Sequence, residues 1–168
     1  MKISVPALTI DIFTHTLGNL SAILEKGATH AAQKKFDSAI LVTSRLAPDM
    51  LPLSKQVQIA CDTAKKGAAR LAGVDAPPFD DNEKTIEELR TRIARTIDFL
   101  KSLPPSAFDG CEDRDIKVPA GERTLEFKGL TYLQRWLLPN LFFHVTTAYN
   151  ILRHNGVEIG KRDYLGSL

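Results

Sequence analysis

Apolar residues recur every three or four positions through four long stretches of this chain, and a chain so patterned has to pack helix against helix. In the first stretch Ile10, Phe13, Leu17, Leu20 and Leu24 form a seam of heptad spacing, one stripe of a helix turning about 100° per residue. It predicts a helix from about Val5 to Ala28, with Pro6 in the first turn, where no amide partner is missed. The second, "APDMLPLSKQVQIACDTAKKGAARLAG", sets Leu53, Val57, Ala60, Ala64, Ala68 and Leu71 on one side, and Gly73 is placed to end it. In the third, Thr85 and Glu88 have capping-box spacing. Ile86, Leu89, Ile93, Ile97 and Leu100 follow as a stripe, until Pro104 and Pro105 stop it. The fourth runs from near Leu130 to Gly156. Its Leu130, Leu133, Leu137, Leu141, Ala148 and Ile151 share one face, and Pro139 predicts a bend.

Between these lie shorter pieces. "DSAILVTSRL" predicts a short helix with Asp37 as N-cap. "VDAPPFDDNEK" reads as a connector, having two prolines and no apolar period. "DRDIKVPAGERTLEFKG" loses the helical period; Ile116 with Val118 and Leu125 with Phe127 alternate around a Pro-Ala-Gly turn, which predicts a β-hairpin. The tail "VEIGKRDYLGSL" should pack through Val157, Ile159, Tyr164 and Leu165. Four amphipathic helices, each hiding one stripe, make a four-helix bundle, and residues 1–168 read as a single domain.

Charge excludes little but is informative. With 22 basic and 20 acidic residues, the net charge is +2, too small to point to nucleic acid or an anionic membrane. The N-terminal apolar stretch is broken by Asp11 and lacks a small-residue cleavage site, so no signal peptide is expected. No unbroken apolar run reaches the length of a membrane span, about 20 residues. Two cysteines, Cys61 and Cys111, make no disulfide framework or zinc spacing. A reduced, cytoplasmic protein is the expectation.

Chemistry has few places to sit. His144 falls on the core-facing stripe of the fourth helix, where an imidazole must find a partner, because an unpaired buried polar group costs on the order of 1–3 kcal/mol. The plain reading is a core histidine bonded to a neighbouring helix; the alternatives are a polar ligand pocket, shared with Asn140 one turn earlier, or a metal site. Ala148, one turn later, cannot bind a metal, so no His-x-x-x-His pair exists there. His15 lies opposite the heptad seam of the first helix with Leu8, Ile12, Asn19 and Ile23. That second face could line an internal pocket or meet a second copy of the chain. Asp62 could join His15 and His144 around zinc or iron, but a pair with Lys65 or Lys66 is the favoured reading. Cys61 reads as inert packing and Cys111, in an acidic loop, as a poor nucleophile. His30, in a predicted loop, and His154 read as surface residues. Tyr132, Trp136 and Phe143 lie off the core arc, as packing for the hairpin or tail. No phosphate-binding glycine loop, nucleophile elbow or His-Glu-x-x-His is present.

The stretches "LAPDMLPLSKQVQIACDTAKKGAARLAG" and "FHVTTAYNILRHNGVEIGKRDYLG" resemble a bacterial and fungal family of uncharacterised proteins, which looks like part of the DinB-like (YfiT-like) superfamily. The resemblance implies an up-down-down-up four-helix bundle, frequently dimeric, with the hairpin as an insertion before the last helix. Many members hold a divalent metal through one histidine of the second helix and a His-x-x-x-His pair of the fourth, and some act on substrates with a low-molecular-weight thiol. Carried onto this chain, the pair falls near Asn140 and His144, and Met50–Leu71 has no histidine. His144 is thus the only match. The resulting expectation is a small-molecule site around His144, Asn140, Asp62 and His15 without a cofactor or the three-histidine metal. Its alternatives are a non-catalytic dimer joined through the first helix and, less favoured, a thiol transferase-like enzyme using zinc, nickel, manganese or iron. Whether the chain is an enzyme is left open.

Overall fold

The computed structural model describes residues 4–167; the first three residues of the apolar N-terminal stretch and Leu168 fall outside that range. Helical structure begins at Val5, passes through one π-helical turn at Ala7–Asp11 and continues as α1, Ile12–Lys34. Of the heptad seam, Phe13, Leu17, Leu20 and Leu24 are fully buried and Ile10 half-buried. The helix outlasts its apolar seam by several residues and ends where Lys35 turns left-handed. His30 is therefore helical and half-buried rather than in a loop, its ring packed edge-on against Phe36 at 5.9 Å. Within Ala7–Lys34 one 18-residue stretch reaches a mean hydropathy of 1.2, so by length and composition this helix is apolar enough to cross a membrane. No unbroken run announces this, because Asp11, Glu25 and Lys26 punctuate it.

A single turn of helix, α2 (Ala39–Thr43), follows; Asp37 accepts the Ala39 amide at 2.8 Å. The remaining long helices are α3 (Leu53–Ala72), α4 (Ile86–Ser102) and α6 (Leu138–His154). Gly73 closes α3 with φ +69°, and Thr85 with Glu88 forms the capping box that opens α4. Around the bundle the order is α1, α4, α3, α6. Successive contacts fix the directions. Gln56 meets His144 and Arg70 meets Tyr132, so α3 opposes α6. Lys55 meets Asp81, just ahead of α4, and further along both helices Asp62 meets Arg92, so α3 and α4 run together. This is the up-down-down-up arrangement.

Two parallel neighbours joined in sequence need a connection that climbs the whole bundle. α3 is about 30 Å long at 1.5 Å per residue, and residues 73–85 can span that distance only if extended, at about 3.3 Å each. Pro77 and Pro78 suit such a path, which is why this stretch has neither helical nor strand period.

After α4, two short 3-10 turns, Pro105–Phe108 and Cys111–Asp113, lead into a hairpin of β1 (Asp115–Ala120) and β2 (Arg123–Lys128). Ile116 pairs with Phe127 and Val118 with Leu125 in antiparallel register. The fourth long helix then starts as α5 (Gly129–Tyr132), widens to a π-helical turn at Leu133–Leu137 and only then becomes α6. Pro139 supplies the reason, since it has no amide for the carbonyl four residues before it. Leu130, expected in the core stripe, is exposed on this first turn. The tail ends in α7 (Lys161–Leu165), laid across α1. Val157 and Ile159 are buried and Tyr164 half-buried, while Leu165 is exposed.

Candidate functional site

His144 is held by its neighbour across the α3–α6 seam. Its Nδ1 lies 2.7 Å from Oε1 of Gln56, and Gln56 Nε2 in turn donates to the carbonyl of Leu51 at 3.0 Å. The amide nitrogen is thereby committed to a carbonyl, so Oε1 must accept, and the proton sits on Nδ1 of His144. Nε2 carries the lone pair and has no protein partner among the described residues. Burial lowers the His144 pKa below its ordinary value, which favours the neutral ring over the imidazolium. The ring is half-buried, and Phe143, 57% exposed, packs edge-on against it at 5.2 Å. The bond to a neighbouring helix is the one expected of a core histidine; the open Nε2 is what a sequence cannot show.

The other sequence-derived candidates are not brought to His144. Asn140 is half-buried one turn away, but its Nδ2 donates to the carbonyl of Trp136 at 2.7 Å, inside the widened turn ahead of Pro139. His15 belongs to a different surface: its Nε2 bonds the carbonyl of Leu165 at 2.7 Å, and Asn19 donates to the carbonyl of Tyr164 at 3.1 Å. Part of the second apolar face of α1 is therefore covered by the chain's own tail. Beside it Ile12, His15, Phe142, Tyr164 and Leu165 line a cavity of about 530 Å³. Asp62 faces the α3–α4 seam, where Lys66 reaches it at 2.7 Å and Lys65 at 3.3 Å, the pairing favoured from sequence.

That seam holds a polar cluster that the apolar stripes did not reveal. Arg92 and Lys65 each have side chains only 1% exposed. Arg92 meets Asp62 at 3.0 Å, Asp81 at 2.9 Å and Glu83 at 2.9 Å, and donates to the carbonyl of Asp80 at 3.0 Å. Gln58 donates to the second oxygen of Glu83 at 2.7 Å. The Lys65 ammonium stands 3.6 Å from the centre of the Phe79 ring, and Arg95 covers the same ring at 4.2 Å. The connector is thus pinned by charge, which explains its acidic composition. Burial alone would raise the Asp62 pKa, but the hydrogen bond from Lys66 and the charges of Lys65 and Arg92 hold it below the usual carboxylate value. A signal existed in the sequence: Leu89, Arg92 and Thr96 share helical spacing, so Arg92 borders the stripe, and Asp80, Asp81 and Glu83 lie just before that helix.

The thiols are sequestered. Burial pushes Cys61 up to about 12, and burial first, then Glu112, raises Cys111; both are free and buried. The metal set that the resemblance implies does not fit these residues. Gln56 faces His144 where a second-helix histidine would be needed, and Asn140 stands at the other fourth-helix position. Among the described residues no group of three or more His, Cys, Asp or Glu could hold a metal ion. An amide and one imidazole are a poor donor set for zinc or iron.

The bundle order, the crossover between parallel helices and the hairpin before the last helix together define a DinB-type fold. The crystal structure of a DinB family member protein from Shewanella denitrificans superposes with a TM-score of 0.92 and 45% sequence identity, covering 98% of this chain and 93% of that one. Residues 7–165 match the family described as domain of unknown function (DUF1993), and the chain belongs to that family. Comparison with curated proteins gave no match.

Proposed function

We propose that this protein binds a small molecule at the His144 end of the α3–α6 seam, in the cytoplasm and without the three-histidine metal. The observation that carries the reading is the Leu51–Gln56–His144 chain of hydrogen bonds: with Nδ1 committed to Gln56, the neutral ring offers Nε2 as an acceptor or base to whatever approaches. Support comes also from Phe143, an exposed aromatic surface beside the ring. The ligand meets a half-buried ring at the seam's mouth rather than an internal chamber, since the larger cavities are lined by other residues. Two buried free thiols agree with a reducing compartment.

Ligand screening by thermal shift, on the native chain and on His144→Ala, tests the reading. A compound that stabilises the first and not the second is expected, together with ring ¹⁵N shifts showing the proton on Nδ1. Equal stabilisation of both, or a proton on Nε2, would overturn it. One metal ion per chain, lost in His144→Ala, would replace it with the metalloprotein reading.

A homodimer through α1 is a second reading, favoured by Ile12 and the exposed His15 of α1 together with exposed Phe142 of α6 and Leu165 of α7, which line one cavity. Sedimentation of the native chain and of Phe142→Glu tests it; a monomer at tens of micromolar would remove it.

A further inference from the structure

About 20 Å along α3 from Gln56, at 1.5 Å per residue, the same seam has another polar end. A cavity of about 450 Å³ opens there between α3, β1 and the widened turn, and its walls include Asp62, Lys66, Arg70, Val118, Tyr132 and Trp136. Lys66 and Arg70 lie one turn apart on one face of α3. Asp62 engages Lys66 at 2.7 Å. Arg70 is half-buried, yet among the described residues it has no carboxylate partner; its side chain bonds only the neutral hydroxyl of Tyr132, at 3.1 Å.

We infer that this cavity binds a small organic carboxylate with a flat apolar body, the carboxylate held by Arg70 and the body laid against Trp136. A partly desolvated guanidinium without a counter-ion is unfavourable, and its planar fork matches a carboxylate. Tyr132 is fully buried and accepts from Arg70, while its own hydroxyl hydrogen has no acceptor among the described residues. Burial raises the pKa of that phenol, so it stays a neutral partner that orients the guanidinium without compensating its charge. Lys66 and Arg70 against Asp62 leave one positive charge on the wall, which a monoanion balances. Trp136 is braced from behind by Phe127, with ring centres 5.8 Å apart, so its indole is a fixed wall. A few convergent polar groups on an otherwise apolar wall are what small-ligand sites have in common. The inference stands apart from the reading of His144 and uses none of its residues.

Trp136 is the chain's single tryptophan, so its emission reports on this cavity alone. Titration of the full chain with phenylacetate should give a saturable change. Phenylacetamide, which has the same body without the charge, and acetate, which has the charge without the body, should each bind at least tenfold more weakly. Arg70→Gln and Arg70→Lys should both weaken phenylacetate tenfold or more with the helical circular dichroism unchanged; the lysine variant keeps the charge and loses the fork. Lys117→Gln, a charge change on the hairpin outside the cavity, should leave binding as it is. No saturable change, an equal response to acetate or inorganic phosphate, or binding indifferent to both Arg70 variants would overturn the assignment.

Discussion

Gln56 and Asp62 stand six residues apart on α3 yet face different seams, and the two polar clusters they anchor are built on different terms. Around Asp62 the groups are charged and paired with one another: Arg92 alone meets three carboxylates and a carbonyl, with its buried Nε and the Oε1 of Gln58 left unpartnered, and the result ties the connector to the bundle. Around Gln56 the groups are neutral and one valence stays open, because the Leu51–Gln56–His144 chain ends at Nε2. A cluster of mutually paired charges holds structure, since removing any member leaves a buried charge uncompensated. A chain of neutral bonds that orients a ring and leaves one nitrogen free is how proteins prepare a group for a ligand. Burial alone does not separate the two, for Gln56 and Arg92 are equally enclosed.

The largest effect that could break the comparison is at Arg92. Arg92→Met should destabilise the protein by on the order of 3 kcal/mol, as expected when one member of a buried charge cluster is removed. The loss would be read as a fall in the urea midpoint with the slope unchanged. Proteolysis should then cut within residues 74–84 before it cuts elsewhere. A loss under about 0.5 kcal/mol, the scale of exposed ion pairs, would show the cluster to be surface decoration.

Next is the packing that keeps the α3–α6 seam closed between its two ends. A Cβ on Gly67 would lie 2.3 Å from Cδ2 of Leu137, so Gly67→Ala should cost about 2 kcal/mol through overpacking. Leu137→Ala should make room for it: the double variant should be less destabilised than the sum of the two single changes, measured as a coupling energy in a double-mutant cycle. Simple additivity would mean that the helices part rather than the leucine moves.

A smaller effect is expected at the His144–Gln56 bond itself. Coupling between His144→Ala and Gln56→Ala should be about 1 kcal/mol, the net worth of one hydrogen bond between neutral groups. Coupling as large as that expected for the charged cluster would place His144 among the structural residues and remove the contrast.

Much of this architecture was legible in the chain, and the reasons it was legible also mark where reading stopped. Periodicity reports which residues turn inward, so the seam of α1, the stripe of α4, the capping box at Thr85 and the alternation of Ile116 with Val118 all appear in place. It does not report what an inward polar residue meets. Arg92 and Gln58 were hidden because their partners come largely from an aperiodic connector, whose path follows from helix direction and not from local pattern; for Lys65 the pairing with Asp62 was legible and the Phe79 ring over it was not. His144 was legible as an inward histidine, but Gln56 was not legible as its partner. The pairing depends on α3 and α6 being adjacent and antiparallel, which no single stripe encodes. The candidates His15, Asp62 and His144 failed to converge for the same reason, each lying on a face that turns to a different neighbour.

The smallest effect is also the sharpest test of the neutral end. In the unfolded chain His144 titrates near the ordinary value, 6.5; in the folded protein burial sets its pKa lower. As pH falls through 6.5 the unfolded chain takes up a proton that the folded protein refuses, so stability declines, and it stops declining once pH passes the folded pKa. Protonation leaves the Nδ1–H bond to Gln56 intact, since the imidazolium still donates there, so the decline reflects desolvation alone and should be shallow. The charged end contributes nothing in this window: Asp62, held below its usual 3.8, keeps its charge until pH falls further. Urea midpoints of the native chain and of His144→Gln, compared from pH 7.5 to 5, should therefore converge as the solution is acidified. Divergence in the native chain's favour would mean that the folded protein stabilises the imidazolium, so that a hidden acid, and not an open lone pair, defines the site.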